Sequence, residues 1–247
     1  MAASGSLQAS HQVQRAEFGR LVNAGEFTPA FSHSDANQRF VAACIDEVLP
    51  RFAGRDRISV IDCGCGTGAW MEFLADRIGD GTGIAVDLFG FDLTPEMVAV
   101  AHQRWQGRER QPHLAEGNIL DEHSYAQFRP TGGGFDIVFA YDVVQQLPRR
   151  QQWTAVETLL RHVAPGGVMM VFDHDCWSRY GIKMALKKAV TWYLRIPLVP
   201  RYYCNARYPP LNVFVAKMKR QSVGAQRQAA NSTPKCAFIV DAPLGNG

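Results

Sequence analysis

Between Ile58 and Asp173, short apolar runs alternate with amphipathic stretches of helical length, and this alternation limits what the chain can fold into. The apolar runs are Ile58–Ile61, "IAVDLFGFD", "HLAEGN", "FDIVFAYD" and "GGVMMVFD"; the helical stretches are "AWMEFLADRI", "PEMVAVAHQRW" and "RRQQWTAVETLLRHV". Strands separated by helices of that length require βαβ crossovers, hence a parallel, doubly wound sheet. Ligands of such sheets bind beyond the carboxyl ends of the strands, so informative residues should lie just after each run. Upstream, Phe40, Val41, Cys44, Ile45, Val48 and Leu49 recur at helical spacing, with Asp35 placed as the N-cap. Downstream, "SVGAQRQAANSTPKCAFIV" supplies a final antiparallel pair turning at Asn231–Pro234.

At 247 residues and 47% hydrophobic, the chain can bury the core of one large domain. Residues 1–25 are polar and are expected to be poorly ordered at their start. They lack an apolar secretory core, and no run has the roughly 18 apolar residues of a membrane span. The six cysteines form no disulfide-like framework, so a reducing, cytoplasmic setting is expected. Charge is divided along the chain. Residues 1–175 sum to −8 and contain no lysine, whereas residues 176–247 sum to +11 with Asp241 as their one acidic residue. Such a basic section is either a solvated face or a surface that meets something anionic.

The run "VIDCGCGTGAW" places Gly64, Gly66 and Gly68 between a strand and a helix, where glycine lets the backbone turn sharply and approach a ligand. No Gly-Lys-Ser/Thr follows, so it is not a phosphate loop. A metal at Cys63 and Cys65 is disfavoured by their single-residue spacing and the lack of a nearby second Cys/His pair.

In order along the chain, "VIDCGCGTGAW", "GFDLTPEMVAVAHQR", "EGNIL", "FDIVFAYDVVQQLP" and "LLRHVAPGGVMMVFDHD" resemble the motifs of class I S-adenosylmethionine-dependent methyltransferases over residues 38–175. The resemblance implies a Rossmann-like α/β fold with an N-terminal helical cover (residues 1–37), a methyltransferase-like domain (38–247) and a basic amphipathic insertion (176–221) after strand 5. It implies S-adenosylmethionine as cofactor. Gly64, Gly66 and Gly68 would lie along its methionine part, and Asp62 would receive a donor from that end. Asp92 would accept the ribose hydroxyls, Leu93 and Ile119 would sandwich the adenine, and Asn118 or the backbone beside it would read the ring edge. Two departures stand out. The interval from Gly64 to Asp92 exceeds the usual twenty or so residues, so Asp87 is a rival ribose ligand. Gln145 and Gln146 stand where many members place histidine.

On the acceptor side, Tyr141 and Asp142 face the expected transfer point. His174, flanked by Asp173 and Asp175, is a candidate general base with a raised pKa, against a strand end that simply turns to solvent. Trp153 reads as core, Trp177 as core or pocket, and His102, His113 and His162 as surface residues. In "SRYGIKMALKKAVTWYLRIPLVPRYYCNARYPPL", Arg179, Lys183 and Lys187 form one helical stripe and Ile182, Leu186, Ala189 and Tyr193 another. Val190 and Leu194 widen the second stripe, Pro197 and Pro200 end the helix, and an aromatic-basic loop follows. The helix is either docked on the domain, a cover over the acceptor, or an element that lies at an anionic membrane surface. Nucleic acid ranks below these, because no recognisable nucleic-acid module accompanies the core.

The expected function is methyl transfer to a small apolar, quinone-like or lipid-like acceptor at a membrane, by analogy with quinone-pathway enzymes. The protein would be peripheral on the inner face of that membrane. The alternatives are amination of ubiquinone to rhodoquinone with the same cofactor, a soluble natural-product N- or O-methyltransferase, and a non-catalytic cofactor-binding module. The sequence leaves the oligomeric state open.

Overall fold

The structure, a computed structural model, describes residues 2–26, 33–128, 130, 133–195, 198–199, 205–221 and 223–242, with side chains from His11 onward. Pro197, Pro200, Arg201, Tyr202, Tyr203 and Cys204, read above as a helix stop and loop, lie outside the described residues.

The strands are β1 (Arg57–Cys63), β2 (Ala85–Asp92), β3 (His113–Glu116), β4 (Phe135–Tyr141), β5 (Val163–Asp173), β6 (Gly224–Ala229) and β7 (Cys236–Asp241). They form one sheet in the order β3-β2-β1-β4-β5-β7-β6. The first five run parallel; β7 is antiparallel to β5, and β6 to β7. The doubly wound α/β fold expected from the alternation is therefore present, with the terminal hairpin completing the sheet. The chain winds outward from β1 in one direction and from β4 in the other, which opens a crevice at the carboxyl ends of these two strands.

Period-two alternation distributes the core over both faces. On β4, Ile137 and Phe139 pack to one side, with Val168, Met170 and Phe172 of β5. Val138 and Ala140 pack to the other side with Met169 and Val171. Cys63 and Cys65 fall in these opposite layers, so their thiols do not form a pair.

Helix α1 (Ala2–Asn23) occupies the polar opening residues, where the sequence suggested poor order. Helix α2 (Asp35–Val48) buries Phe40, Val41, Cys44, Ile45 and Val48 as its spacing predicts. Its cap is Ser34, whose Oγ accepts from the Asn37 N–H at 3.4 Å; Asp35 sits one position inside, where its charge complements the helix dipole. Helix α3 (Ala69–Thr82) continues through Gly79–Thr82 and stops at Gly83, which adopts φ +73°. This added turn accounts for the long interval between Gly64 and Asp92. Helices α4 (Pro95–Trp105), α5 (His123–Ala126) and α6 (Arg149–Arg161) follow β2, β3 and β4. Trp153 of α6 packs on Phe214 of α8 (Leu211–Arg220), ring centroids 5.3 Å apart. His102 and His113 are exposed, whereas His162 is half-buried, stacked on Tyr125 at 3.9 Å and bonded to Glu122.

The basic section carries α7 (Arg179–Leu194) and α8 between β5 and β6. Trp177, expected in core or pocket, is instead 67% exposed. Among the described residues, no helix is long and apolar enough to cross a membrane.

The β1–β4 ladder pairs only Val60–Asp62 with Ile137–Phe139. Below it, Asp136 takes over: its Oδ2 accepts from the Ser59 N–H at 2.8 Å and Oγ at 2.9 Å, and Arg55 pairs with its other oxygen. Asp136→Ala leaves the Ser59 amide buried without its acceptor. Urea denaturation should show a loss of about 1–3 kcal/mol, and a change within about 0.5 kcal/mol would contradict this linkage.

Candidate active site

A cavity of about 530 Å³ opens at the carboxyl ends of β1, β2, β4 and β5, where a doubly wound sheet places its ligands. Gly64, Gly66, Asp92, Leu93, Asn118, Ile119, Tyr141, Asp142 and His174 all line it. Of the expected residues, Asp62 and Gly68 do not reach the wall.

The three glycines serve different ends. Gly64 has φ +90°, and a Cβ there would come 2.4 Å from a Val143 methyl. Gly66 has φ +52° with open space beside it, and its N–H donates to Asp92 Oδ2 at 2.9 Å. A Cβ on Gly68 would press on Ala101 of α4, so this glycine serves packing. The second oxygen of Asp92 accepts from the Thr94 N–H at 2.8 Å. Burial raises the Asp92 carboxyl from its usual range, while the Thr94 and Gly66 N–H groups pull the other way. Asp62, 2% exposed beneath the loop, is pushed well above its usual value by burial and by Asp92, and its Oδ2 has no partner among the described residues.

Of the two rival aspartates, Asp92 lines the cavity. Asp87 sits level with Ser59 in mid-sheet and pairs with Arg57, away from the cavity. Asn118 Oδ1 accepts from the Leu120 N–H at 3.0 Å, while its amide nitrogen lies 3.3 Å from His11 Nδ1. His11, Gln14, Phe18 and Leu21 bring α1 across the cavity as a cover.

The opposite wall is aromatic. Tyr141 stacks against Trp70 with ring centroids 4.4 Å apart. Burial, then Asp142 and Asp173, raise its phenol, so it stays protonated, and its hydroxyl has no hydrogen-bond partner among the described residues. Asp142 adopts φ +63°, a conformation rare outside glycine, and is fixed by its N–H donating to Phe172 O at 2.8 Å. Gln145 bridges the wall: its Nε2 donates to Asp142 Oδ1 at 2.6 Å and its Oε1 lies 3.0 Å from His174 Nδ1.

His174 corrects the expectation of a base with a raised pKa. Burial, then Lys235 and Lys188, lower it to about 2. The flanking carboxylates are turned elsewhere: Asp175 pairs with Arg227 at 2.7 Å, and Asp173 is wholly buried and pushed well above its usual value. The ring packs against both Tyr180 and Tyr208, at 4.7 and 4.8 Å, and these two lie 6.2 Å from each other.

Sequence reasoning missed Lys235. It is 4% exposed, lines the cavity, bonds Asp142, and sits 3.2 Å from His174 Nδ1 and 5.0 Å from the Tyr141 ring. It stands in the β6–β7 hairpin, far along the chain from the strand ends it meets. The one available signal was its place just before an apolar strand.

His174 also sets an acid dependence. Its folded pKa of about 2 lies below the usual 6.5, so the unfolded chain takes a proton that the native state refuses. Its contribution to stability is therefore lost as pH falls below about 6.5, by at most about 1.4 kcal/mol per pH unit. His174→Gln should flatten that part of the stability-pH curve in urea titrations; identical slopes would contradict the assignment.

Residues 60–167 match the family model described as a methyltransferase domain. Trans-aconitate 2-methyltransferase of Azoarcus sp. is 30% identical over 125 residues, 51% of this chain and 42% of that protein. Its counterpart in Deinococcus radiodurans is 30% identical over 126 residues, covering 49% and 41%. The match thus spans about two fifths of the length of these curated relatives. Magnesium protoporphyrin IX methyltransferase from Synechocystis, solved with bound S-adenosylmethionine, superposes with a TM-score of 0.59 at 13% identity, over 94% of this chain and 97% of that one. The N-methyltransferase NodS from Bradyrhizobium japonicum, in complex with S-adenosylhomocysteine, gives 0.57 at 16%, over 93% and 98%. Residues 60–167 thus match a methyltransferase domain, and the fold is similar to that of solved methyltransferases.

Proposed function

We propose that this protein transfers the methyl group of S-adenosylmethionine to a small, apolar, quinone-like or lipid-like acceptor at an anionic membrane surface. One observation carries the reading: the cavity has the anchored Asp92 and glycine loop on one side and an aromatic wall on the other.

Each Asp92 oxygen spends one lone pair on a backbone N–H and keeps capacity for a ribose hydroxyl. Leu93 and Ile119 offer apolar faces to the adenine, and Asn118 lies beside them. Gly66 leaves the space its side chain would have filled. Bound there, the cofactor supplies a methyl group already activated by its sulfonium, so alignment and exclusion of water matter more than a strong base. Trp70, Tyr141 and Tyr180 supply flat surfaces suited to a ring-bearing acceptor.

Helix α7 supports the membrane setting. Its Tyr180 lines the cavity, whereas Ile182, Leu186, Trp192, Tyr193 and Leu194 are exposed, the last three by 81%, 81% and 64%. Arg179 and Lys183 stand exposed on the same helix, in a stretch with no acidic residue between Asp175 and Asp241. An apolar stripe flanked by cations is suited to an anionic lipid surface. One helix thereby joins the acceptor wall to the membrane.

The test is incubation with methyl-labelled cofactor and anionic vesicles carrying a quinone-containing lipid extract, followed by flotation and mass spectrometry. The proposal expects the protein to float with anionic and not zwitterionic vesicles, and label to enter an extractable product. Label confined to a water-soluble product would point to a soluble acceptor. An altered but unlabelled quinone would point to amination. Absence of flotation removes the membrane from the account.

A further inference from the structure

We infer that Lys235 is the residue that selects the acceptor's chemistry: its ammonium, with the Tyr141 hydroxyl, holds a phenolic or enolic oxygen of the acceptor in its ionised form. The inference rests on the methyl-transfer reading above and names the atom class that receives the methyl group.

A lysine that is 4% exposed needs a reason to be in a cavity wall. Among the described residues, Asp142 is the one carboxylate that Lys235 pairs with. The remaining contacts are uncharged. Gln145 Nε2 donates to Asp142, which turns its Oε1 toward His174 and sets Nδ1 as that ring's N–H. His174 is then a close neutral neighbour of the ammonium, and cannot accept from it at Nδ1. An ammonium has three N–H donors, so two are left without an acceptor on this wall. The Tyr141 ring centroid lies 5.0 Å from the ammonium, and its buried hydroxyl is also without a partner among the described residues. These donors share the end of the cavity at β4, β5 and β7, where the one carboxylate, Asp142, is already bonded to the ammonium. That is an arrangement for an oxygen anion.

The charges around the ammonium agree with this. Asp142 bonds it, Asp173 lies buried beneath, and neutral His174 stands beside it, with Lys188 of α7 approaching from the far side. An acceptor hydroxyl there gives up its proton to solvent more readily than in water. Its oxygen then forms the bond to the methyl carbon as the carbon–sulfur bond breaks, with that electron pair staying on sulfur. An amine acceptor would gain nothing from a neighbouring ammonium, which makes the site selective against one.

The probe is 4-nitrophenol, whose phenolate absorbance reports ionisation directly, titrated with pH in the presence of saturating S-adenosylhomocysteine. Bound to the wild type, its midpoint should fall by about one pH unit, a tenfold change in ionisation. Lys235→Met should abolish the shift while S-adenosylhomocysteine affinity by calorimetry stays within about threefold. Because Lys235→Met strands the Asp142 carboxylate, Lys235→Met with Asp142→Asn is measured alongside, and the same loss of shift is expected. An equal shift in wild type and variants, or none in the wild type, overturns the inference. A loss of S-adenosylhomocysteine affinity confined to the lysine variants also overturns it, because the ammonium then belongs to the cofactor. A wild type that binds no S-adenosylhomocysteine overturns the cofactor reading itself, and this inference with it.

Discussion

A single half-buried carboxylate ties the two loops on which the site depends. Asp92, at the end of β2, accepts from the N–H of Gly66 in the loop after β1 and from the N–H of Thr94 at the start of α4. Holding this carboxylate out of water is costly, and the two backbone donors offset part of that cost. Asp62, directly beneath, adds repulsion and is itself pushed toward its neutral form. The conformation of Gly66 follows from this geometry: its amide must face Asp92 while its α-carbon faces open space. The glycine loop is thus shaped by an internal hydrogen bond as much as by a ligand.

The other half of the cavity is built on the opposite electrostatic principle. At the ends of β4 and β5 the dominant buried charge is positive, carried by Lys235 from the β6–β7 hairpin. It lowers His174 and stabilises Asp142, whose strained backbone is held by Phe172 O. The cavity is therefore polarised, with the Asp92 carboxylate at the end of β2 and the Lys235 ammonium, paired with Asp142, near β7. A cationic sulfonium and an anionic acceptor oxygen match that division.

The parts of this arrangement legible in sequence are those whose determinants lie close together along the chain. Strand–helix alternation and the run from Gly64 to Gly68 are local patterns, as are Asp92, Leu93, Asn118 and Ile119, each just past a strand. What depended on distant neighbours was not legible. His174 looked like a base between two carboxylates because Asp173 and Asp175 adjoin it in sequence. In the fold a strand turns its neighbours away, and Lys235 and Lys188 arrive from other elements. Gln145 looked like the loss of a histidine, yet it is the bridge that links Asp142 to His174. The exposed stripe of α7 had the correct period, but whether such a stripe is buried is decided by what packs on it, which periodicity does not encode.

The measurement closest to the central claim is calorimetric titration with S-adenosylhomocysteine beside its analogue lacking both ribose hydroxyls. The account predicts one-to-one binding of the first and a loss of at least about tenfold for the second, about 1.4 kcal/mol, because Asp92 would face no donors. Equal affinities would contradict the role assigned to Asp92, and absence of binding by either would contradict the site as a whole.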